Sequence, residues 1–169
     1  MDFCIVDNIP HPRPLVFATH RDKVVEMVPY LPNVKSVVIE KNDVDGPVTH
    51  QLNRWIGESH DVPRLLRPLI KQEFLSWLDK SIWYQDEWRC EWELELSVLP
   101  DAISARGYNI FLEDEDGTIV QMNGQFTIHP GRITGVPTFV ARRIAPAVEK
   151  FIVSLLEPNM RESNKAVFQ

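Results

Sequence analysis

Residues 87–98 constrain the fold more than any other segment, because apolar and polar side chains alternate there without interruption. One parity holds Trp88, Cys90, Trp92, Leu94, Leu96 and Val98, and the other holds only polar residues. Consecutive side chains of a strand point to opposite faces of its sheet. The segment therefore predicts a strand with one covered face and one solvated face, as is common in antiparallel sheets.

The C-terminal region changes to a helical spacing and supplies a cover for that face. Its apolar residues are Val136, Val140, Ile144, Ala147, Val148, Phe151, Ile152 and Leu155. This stripe is typical of an amphipathic helix with one buried side. Pro146 lies inside the pattern and predicts a kink or a break. After Pro158 the sequence is polar, and we expect residues 158–169 to form a frayed tail.

The rest of the chain predicts six further strands and two short helices. A strand ends before Pro10, one helix covers Pro14 to His20, and a second runs from Asp22 to about Val28. The expected strands are residues 34–40, 48–56, 72–84, 102–112 and 118–128, with a short helical turn at 62–70. With 169 residues and no internal repeat, residues 1–169 are expected to form a single domain.

Composition excludes several classes of function. The formal charge is −6 and no basic stripe is present, which argues against a nucleic-acid partner. No run of about 20 apolar residues indicates a membrane span, and the N-terminus lacks a signal-peptide pattern, so a cytoplasmic location is expected. Cys4 and Cys90 are expected to be reduced thiols. The five histidines lack metal-ligand spacing, so we expect no metal and no cofactor.

Two strands carry polar residues that could line an interior. In residues 48–56 the more aliphatic parity holds Val48, Leu52 and Ile56, and we expect it to face inward together with His50 and Arg54. If Tyr108 also points inward from strand 102–112, Arg106 does so as well. Guanidinium groups in an apolar space would bind a carboxylate or a phosphate. The alternative is that these arginines lie at the rim or pair with Glu58, Glu73 or Glu91.

The order of strand, two short helices, six strands and long helix resembles the helix-grip arrangement of the START-like superfamily, which includes birch-pollen-type allergens and polyketide cyclases. The residues that carry the resemblance are Pro14 to Ala18 through Asp22, Val28 to Val37, the region of Trp83, and Gly135-Val136-Pro137 before the last helix. These segments are similar to those of small bacterial members. The resemblance covers nearly the whole chain but contains no catalytic signature.

This resemblance implies an α+β fold in which a curved antiparallel sheet of about seven strands wraps the C-terminal helix. It also implies a cavity between sheet and helix that holds a lipid, a sterol or a polyketide-like molecule. Combined with the parities above, it predicts ligand contacts for a set of inward residues. They are His50, Leu52, Arg54, Trp92, Leu94, Arg106, Tyr108, Met122, Phe126, Val140, Ile144 and Val148.

A non-enzymatic carrier of a hydrophobic small molecule, with an anionic head group as one option, is the leading hypothesis. A cyclase, an aromatase or a hydrolase is the second, with Arg54 or Arg106 stabilising an enolate and Tyr108 or His50 transferring protons. The third is an interaction module whose core is filled by its own side chains and which binds through sheet edges or the proline-rich segment 10–14.

Overall fold

The computed structural model describes residues 1–58, 64–65, 75–97 and 99–166. Seven strands of this part form one antiparallel sheet in the order β1-β7-β6-β5-β4-β3-β2. Their bounds are β1 Asp2–Ile9, β2 Val34–Asp45, β3 Val48–Gly57, β4 Ser76–Tyr84, β5 Arg89–Leu96, β6 Ile103–Asp114 and β7 Gly117–Ile128. The expected helical turn at 62–70 falls outside the described residues, apart from the turn at 64–65.

Three α-helices accompany the sheet in the described part. They are α1 Arg13–Asp22, α2 Val24–Met27 and α3 Thr138–Ala166, with 3-10 turns at Val28–Tyr30 and Pro130–Arg132. Helix α1 begins after Pro12 with Pro14 in its first turn, where the fixed φ of proline suits a helix, and it ends where the Lys23 amide donates to the Thr19 carbonyl at 2.9 Å. This is the helix-grip architecture that the element order predicts.

Helix α3 has no break at Pro146 and departs from the sequence prediction at its C-terminal end. It continues as one helix through Pro146 and Pro158 to Ala166, so the predicted frayed tail is wrong for residues 158–166. The polar side chains of this last stretch are held by hydrogen bonds. Asn164 Nδ2 donates to Asp7 Oδ2 at 2.6 Å, and Asn164 Oδ1 lies 3.0 Å from Nε2 of His20. These contacts fix the C-terminal end of the helix to β1 and α1.

The main core lies between α3 and the inner face of the sheet. Val148, Phe151 and Ile152 of the helix are buried against Trp92 and Phe126. A second core packs α1 against β6 and β7, with Phe17 and Phe111 in edge-to-face contact at 5.1 Å between ring centroids. The two cores together anchor α1 and α3 on the same side of the sheet, and the space left between them is the candidate site.

Candidate functional site

A cavity of about 150 Å³ lies between α3 and the middle of the sheet. A cavity of roughly this volume holds a benzene-sized molecule. Most of its wall is aromatic or aliphatic. The lining residues are Leu31, Val34, Trp55, Trp77, Asp79, Ser81, Trp83, Cys90, Trp92, Leu94, Asn109, Met122, Leu156, Asn159, Met160 and Ser163.

Four of the five tryptophans line this cavity, and the register of the strands places them. Trp55 on β3 is directly opposite Trp77 on β4, and their indoles stack with centroids 6.2 Å apart and planes within 3° of parallel. Trp83 Nε1 donates to Ser81 Oγ at 3.2 Å, and Trp92 Nε1 donates to Asn109 Oδ1 at 3.0 Å. The wall therefore satisfies two of its own indole N–H groups.

A pair of glycines makes room for the Trp92 ring. Gly107 on β6 and Gly124 on β7 are paired in register. A Cβ on Gly107 would lie 2.4 Å from Trp92 Cζ2 and 2.1 Å from the Asn123 carbonyl oxygen, and one on Gly124 would lie 2.4 Å from the Phe3 ring. Absence of side chains at both positions leaves a notch that Trp92 and Phe3 occupy. The notch fixes the indole at the inner edge of the cavity.

Asp79 is the charged group of the cavity wall. It lies on β4 between the inward Trp77 and the inward Ser81, directly opposite Asn53 of β3. Its Oδ1 atom is buried and has no hydrogen-bond partner within the described part of the chain. Burial raises the pKa of the Asp79 carboxyl to about 7, while the nearby Trp55 indole N–H lowers it by a smaller amount. The carboxyl is thus close to half-ionised at neutral pH.

Trp55 Nε1 is also buried and completes no hydrogen bond of regular geometry with any described group, although it lies near Asp79. Cys90 is the other titratable residue of the wall. Burial, and then the nearby charge of Asp79, raise the pKa of its thiol well above the usual value. Cys90 is therefore a protonated, unreactive thiol at neutral pH. Among the described lining residues there is no lysine, arginine or histidine.

The opposite, solvent-facing side of the sheet carries a larger depression of about 1040 Å³. Its wall includes His50, Arg106 and Tyr108, three of the residues that the sequence assigns to the interior. Lys80, Glu91 and Glu93 line the same outer groove. Lys80 Nζ donates to Glu95 Oε2 at 2.7 Å, so part of this charge is neutralised within the surface itself.

The inward orientation predicted for His50, Leu52 and Arg54 is wrong. The inner face of β3 carries Thr49, Gln51 and Asn53, all buried, together with Trp55. Two contacts explain the choice of face: Trp55 stacks on Trp77, and Gln51 Nε2 donates to the Arg21 carbonyl at 2.8 Å. Arg54 turns outward, where its Nε donates to Glu40 Oε1 at 2.5 Å, which avoids burying an unpaired charge.

The inward orientation of Arg106 and Tyr108 is wrong as well. Ala105, Gly107 and Phe111 occupy the inner face of β6, and Tyr108 is 43% exposed. Small residues are required on the inner side because Trp92 of the neighbouring strand fills the space there. The outward arginine and tyrosine consequently share the outer groove with His50.

The remaining predicted contacts lie on the helix side of the sheet or on α3. Trp92, Leu94 and Met122 are buried and line the cavity. Phe126, Ile144 and Val148 are buried in the protein interior, whereas Val140 is only partly buried. Contact of these residues with a ligand stays a prediction. Trp92 and Leu94 on β5 meet Met122 on β7 in the cavity wall. The other four residues do not line the cavity.

Asp79, Ser81 and Asn109 are cavity residues that the sequence reasoning did not select. One signal was present for Asp79, because it shares the parity of Trp77 and Trp83. An acidic side chain on the covered face of a strand is costly to bury without a partner, and such residues concentrate at functional sites. Asn109 could not be selected, because an inward Tyr108 would place Asn109 on the outer face of β6.

No family model and no curated protein matches the sequence. Solved structures do match its fold. The protein TTHA0849 from Thermus thermophilus is 18% identical with a TM-score of 0.66, over 99% of this chain and 97% of that one. The Zhui aromatase/cyclase from Streptomyces sp. R1128 is 13% identical with a TM-score of 0.65, over 99% and 90% of the chains.

A START superfamily protein from Mycobacterium smegmatis is 13% identical with a TM-score of 0.53, over 92% of this chain and 94% of that one. At these identities the likeness concerns the fold, and it supports the helix-grip assignment made from the element order. No helix in the described residues is both long and apolar enough to cross a membrane.

Proposed function

We propose that this helix-grip chain binds a small, largely apolar molecule in the cavity between the sheet and α3. The observation that carries the proposal is the wall itself, in which four indoles and several aliphatic side chains surround about 150 Å³. Ligand sites are typically concave and apolar with a few placed polar groups. Asp79, Ser81 and Asn109 supply such groups here.

The solved structures of similar fold lend support, since they include an aromatase/cyclase and a START superfamily protein. The size of the cavity sets the scale of the ligand. A benzene-sized ring or a short branched chain fits the observed volume, and a longer lipid would need α3 to move away from the sheet. A filled-core interaction module is less favoured, because space remains beside the indoles.

The test compares the two faces of the sheet. Native mass spectrometry of the purified chain would reveal a bound small molecule, and indole and naphthalene would serve as probes in thermal-shift and tryptophan-fluorescence titrations. Ser163→Leu on α3 should fill the cavity and abolish binding, with Met160→Trp as a second filling variant. Arg106→Ala in the outer groove is the matched control and should bind normally.

Two outcomes would overturn the proposal. The first is binding that survives both filling variants but is lost in Arg106→Ala, which would assign the ligand to the outer groove. The second is the absence of a co-purified molecule together with no response to either probe. Urea unfolding of each variant separates lost binding from lost folding.

A cyclase-type activity in the same cavity is the second candidate function. It is favoured by the Asp79 carboxyl, whose raised pKa of about 7 suits a group that both gives and takes a proton near neutral pH. His50, Arg54, Arg106 and Tyr108, which the sequence suggests for this chemistry, face the other side of the sheet. An Asp79→Asn variant that still catalyses proton exchange of a small β-diketone, which fits the cavity, would remove the basis for this candidate.

A further inference from the structure

The charge of the cavity limits the class of ligand it can select. Asp79 and Cys90 are the titratable side chains among the described lining residues, and neither becomes positive at any pH. A carboxylate or phosphate on a ligand would approach Asp79 with no described cation of the wall to offset the repulsion. An anionic ligand is therefore disfavoured, in contrast to the anionic option raised by the arginines in the sequence.

Two buried oxygen atoms at this site lack a hydrogen-bond donor. Asp79 Oδ1 and Asn53 Oδ1 are both unpartnered within the described residues, and the two residues are direct neighbours across the β3–β4 pair on the same face. Directly opposed residues have Cβ atoms about 4.5–5.5 Å apart. Buried acceptors without donors cost free energy, and Asp79 is the member of the pair that lines the cavity, so this arrangement favours a ligand that brings an N–H group to Asp79.

The aromatic wall favours a ligand whose donor is positively charged. Trp55, Trp77, Trp83 and Trp92 line the same cavity as Asp79. Indole rings attract cations through their electron-rich faces, and the attraction is larger where water is excluded. A carboxylate among several indoles is therefore complementary to an ammonium group attached to an apolar body.

Resting on the proposed function, we propose that the cavity selects a small aromatic or alkyl ammonium ion, with Asp79 as its counter-charge. The volume limits the apolar body to about the size of a benzene ring. Trp55 Nε1, which lies near the carboxyl, would hold Asp79 in place from the other side.

A specific dependence on pH follows. Asp79 has a pKa of about 7 in the empty cavity and must be ionised to pair with the ligand. The titratable group that faces it is Cys90 on β5, while β3 presents Asn53 and Trp55, and α3 presents Leu156, Asn159, Met160 and Ser163. Affinity for an ammonium ion should therefore rise toward tenfold per pH unit below about pH 7, and level off above it.

The test uses three probes of equal ring size: benzylamine, which is protonated throughout the range, neutral toluene, and anionic benzoate. Calorimetric titration at pH 7.5 should rank benzylamine first and benzoate last. Asp79→Asn should weaken benzylamine binding by about tenfold or more, because it removes one partner of a buried charge pair. It should change toluene binding far less than benzylamine binding, because toluene carries no charge to pair with Asp79. Glu93→Gln, the same acid-to-amide change on the outer face, is the matched control and should change neither.

Several results would overturn this inference and leave the proposed function intact. They are toluene or benzoate binding as tightly as benzylamine, or benzylamine binding unaffected by Asp79→Asn. Benzylamine affinity of the unmodified protein that falls or stays constant as pH rises from 5.5 to 7.5 would do the same, since binding would then not depend on the ionised Asp79 carboxylate. That pH series needs no variant to fold. Failure of all three probes to bind would instead count against the proposed function itself.

Discussion

Strands β3 to β6 form both faces of the sheet, but the two faces differ in whether their charged side chains are paired. On the outer face acids and bases are paired, as in Lys80 with Glu95 and Arg89 with Glu91. On the inner face the Asp79 carboxyl lies among indoles with one oxygen unpartnered in the described structure. Paired surface charges leave little unused interaction free energy. The Asp79 carboxyl has no ion partner among the described residues, so it can still gain free energy by pairing with a ligand.

The difference also shows that size is a poor guide to the site. The outer groove has about 1040 Å³ and the inner cavity about 150 Å³. Water can satisfy the charged groups of an open groove, whereas a buried acceptor must find its donor within the protein or on a ligand. The smaller inner cavity is therefore the better candidate for a selective ligand site.

The largest effect should come from placing a charge on the inner face of β5. Leu94 is buried between α3 and the sheet, so Leu94→Asp would bury a second unpaired carboxylate, and we expect a loss of about 4 kcal/mol or more. Urea denaturation with circular dichroism measures it. Glu93→Asp, one residue away on the outer face, should stay near the parent stability. Equal effects of the two changes would contradict the division into faces.

A Cβ in the glycine notch should cost nearly as much. Gly107→Val would bring Cβ to 2.1 Å from the Asn123 carbonyl oxygen, a backbone atom that cannot move alone, and to 2.4 Å from Trp92. We expect a loss of roughly 3 kcal/mol in the free energy of unfolding. The neighbouring Arg106→Ala should change it by no more than about 0.5 kcal/mol. A stable Gly107→Val protein with unchanged tryptophan fluorescence would disprove the role of the notch.

Asp79→Asn should stabilise the empty protein, and only at higher pH. The folded-state pKa of about 7 lies above the ordinary value of 3.8, so the folded chain binds the proton more tightly than the unfolded chain, and stability falls as pH rises from about 4 to 7. The shift corresponds to at most about 4 kcal/mol at pH 8, and we expect about half, because the amide also needs partners.

Thermal unfolding of the parent and Asp79→Asn proteins at pH 5 and pH 8 measures this difference. The variant should unfold at a higher temperature than the parent at pH 8 and at a similar temperature at pH 5. A gain confined to pH 5 would mean that the carboxyl is stabilised in its ionised form.

The smallest effect should come from Arg54→Ala. Arg54 pairs with Glu40 on the outer face with both side chains partly exposed, and such pairs contribute about 0–1 kcal/mol. Unfolding in urea should therefore change little, and binding of the cavity probes should be unaffected. Loss of probe binding in this variant alone would restore the sequence-based assignment of Arg54 to the ligand site.

The sequence alone predicts which side of a strand faces inward where one parity is apolar and the other mostly polar, as in residues 89–96 and 117–128. It fails for β3, where both parities contain apolar side chains. There the inner face is decided by Trp55 stacking on Trp77 and by Gln51 reaching the Arg21 carbonyl, contacts between separate segments of the chain. Counting aliphatic residues cannot detect them.

The site was harder to predict than the fold for a related reason. On β6 Tyr108 faces outward, because Trp92 already occupies the inner space beside Gly107. Which residues are inward depends on how much volume the neighbouring strand fills. At the chain end, the helix persists because Asn164 is hydrogen-bonded to Asp7, a contact that no local pattern encodes.

The pairing of β1 with β7 bears on the order of events during synthesis. Asp2 is opposite Gln125 and Ile9 is opposite Thr118, so β1 leaves the ribosome more than a hundred residues before its sheet partner. The other neighbours in the sheet are consecutive strands, which can pair as they emerge. Contacts of such long sequence separation form late and slow folding. Until residue 128 has been translated, β1 lacks its complete sheet partner, and its unpaired backbone groups can pair with another chain.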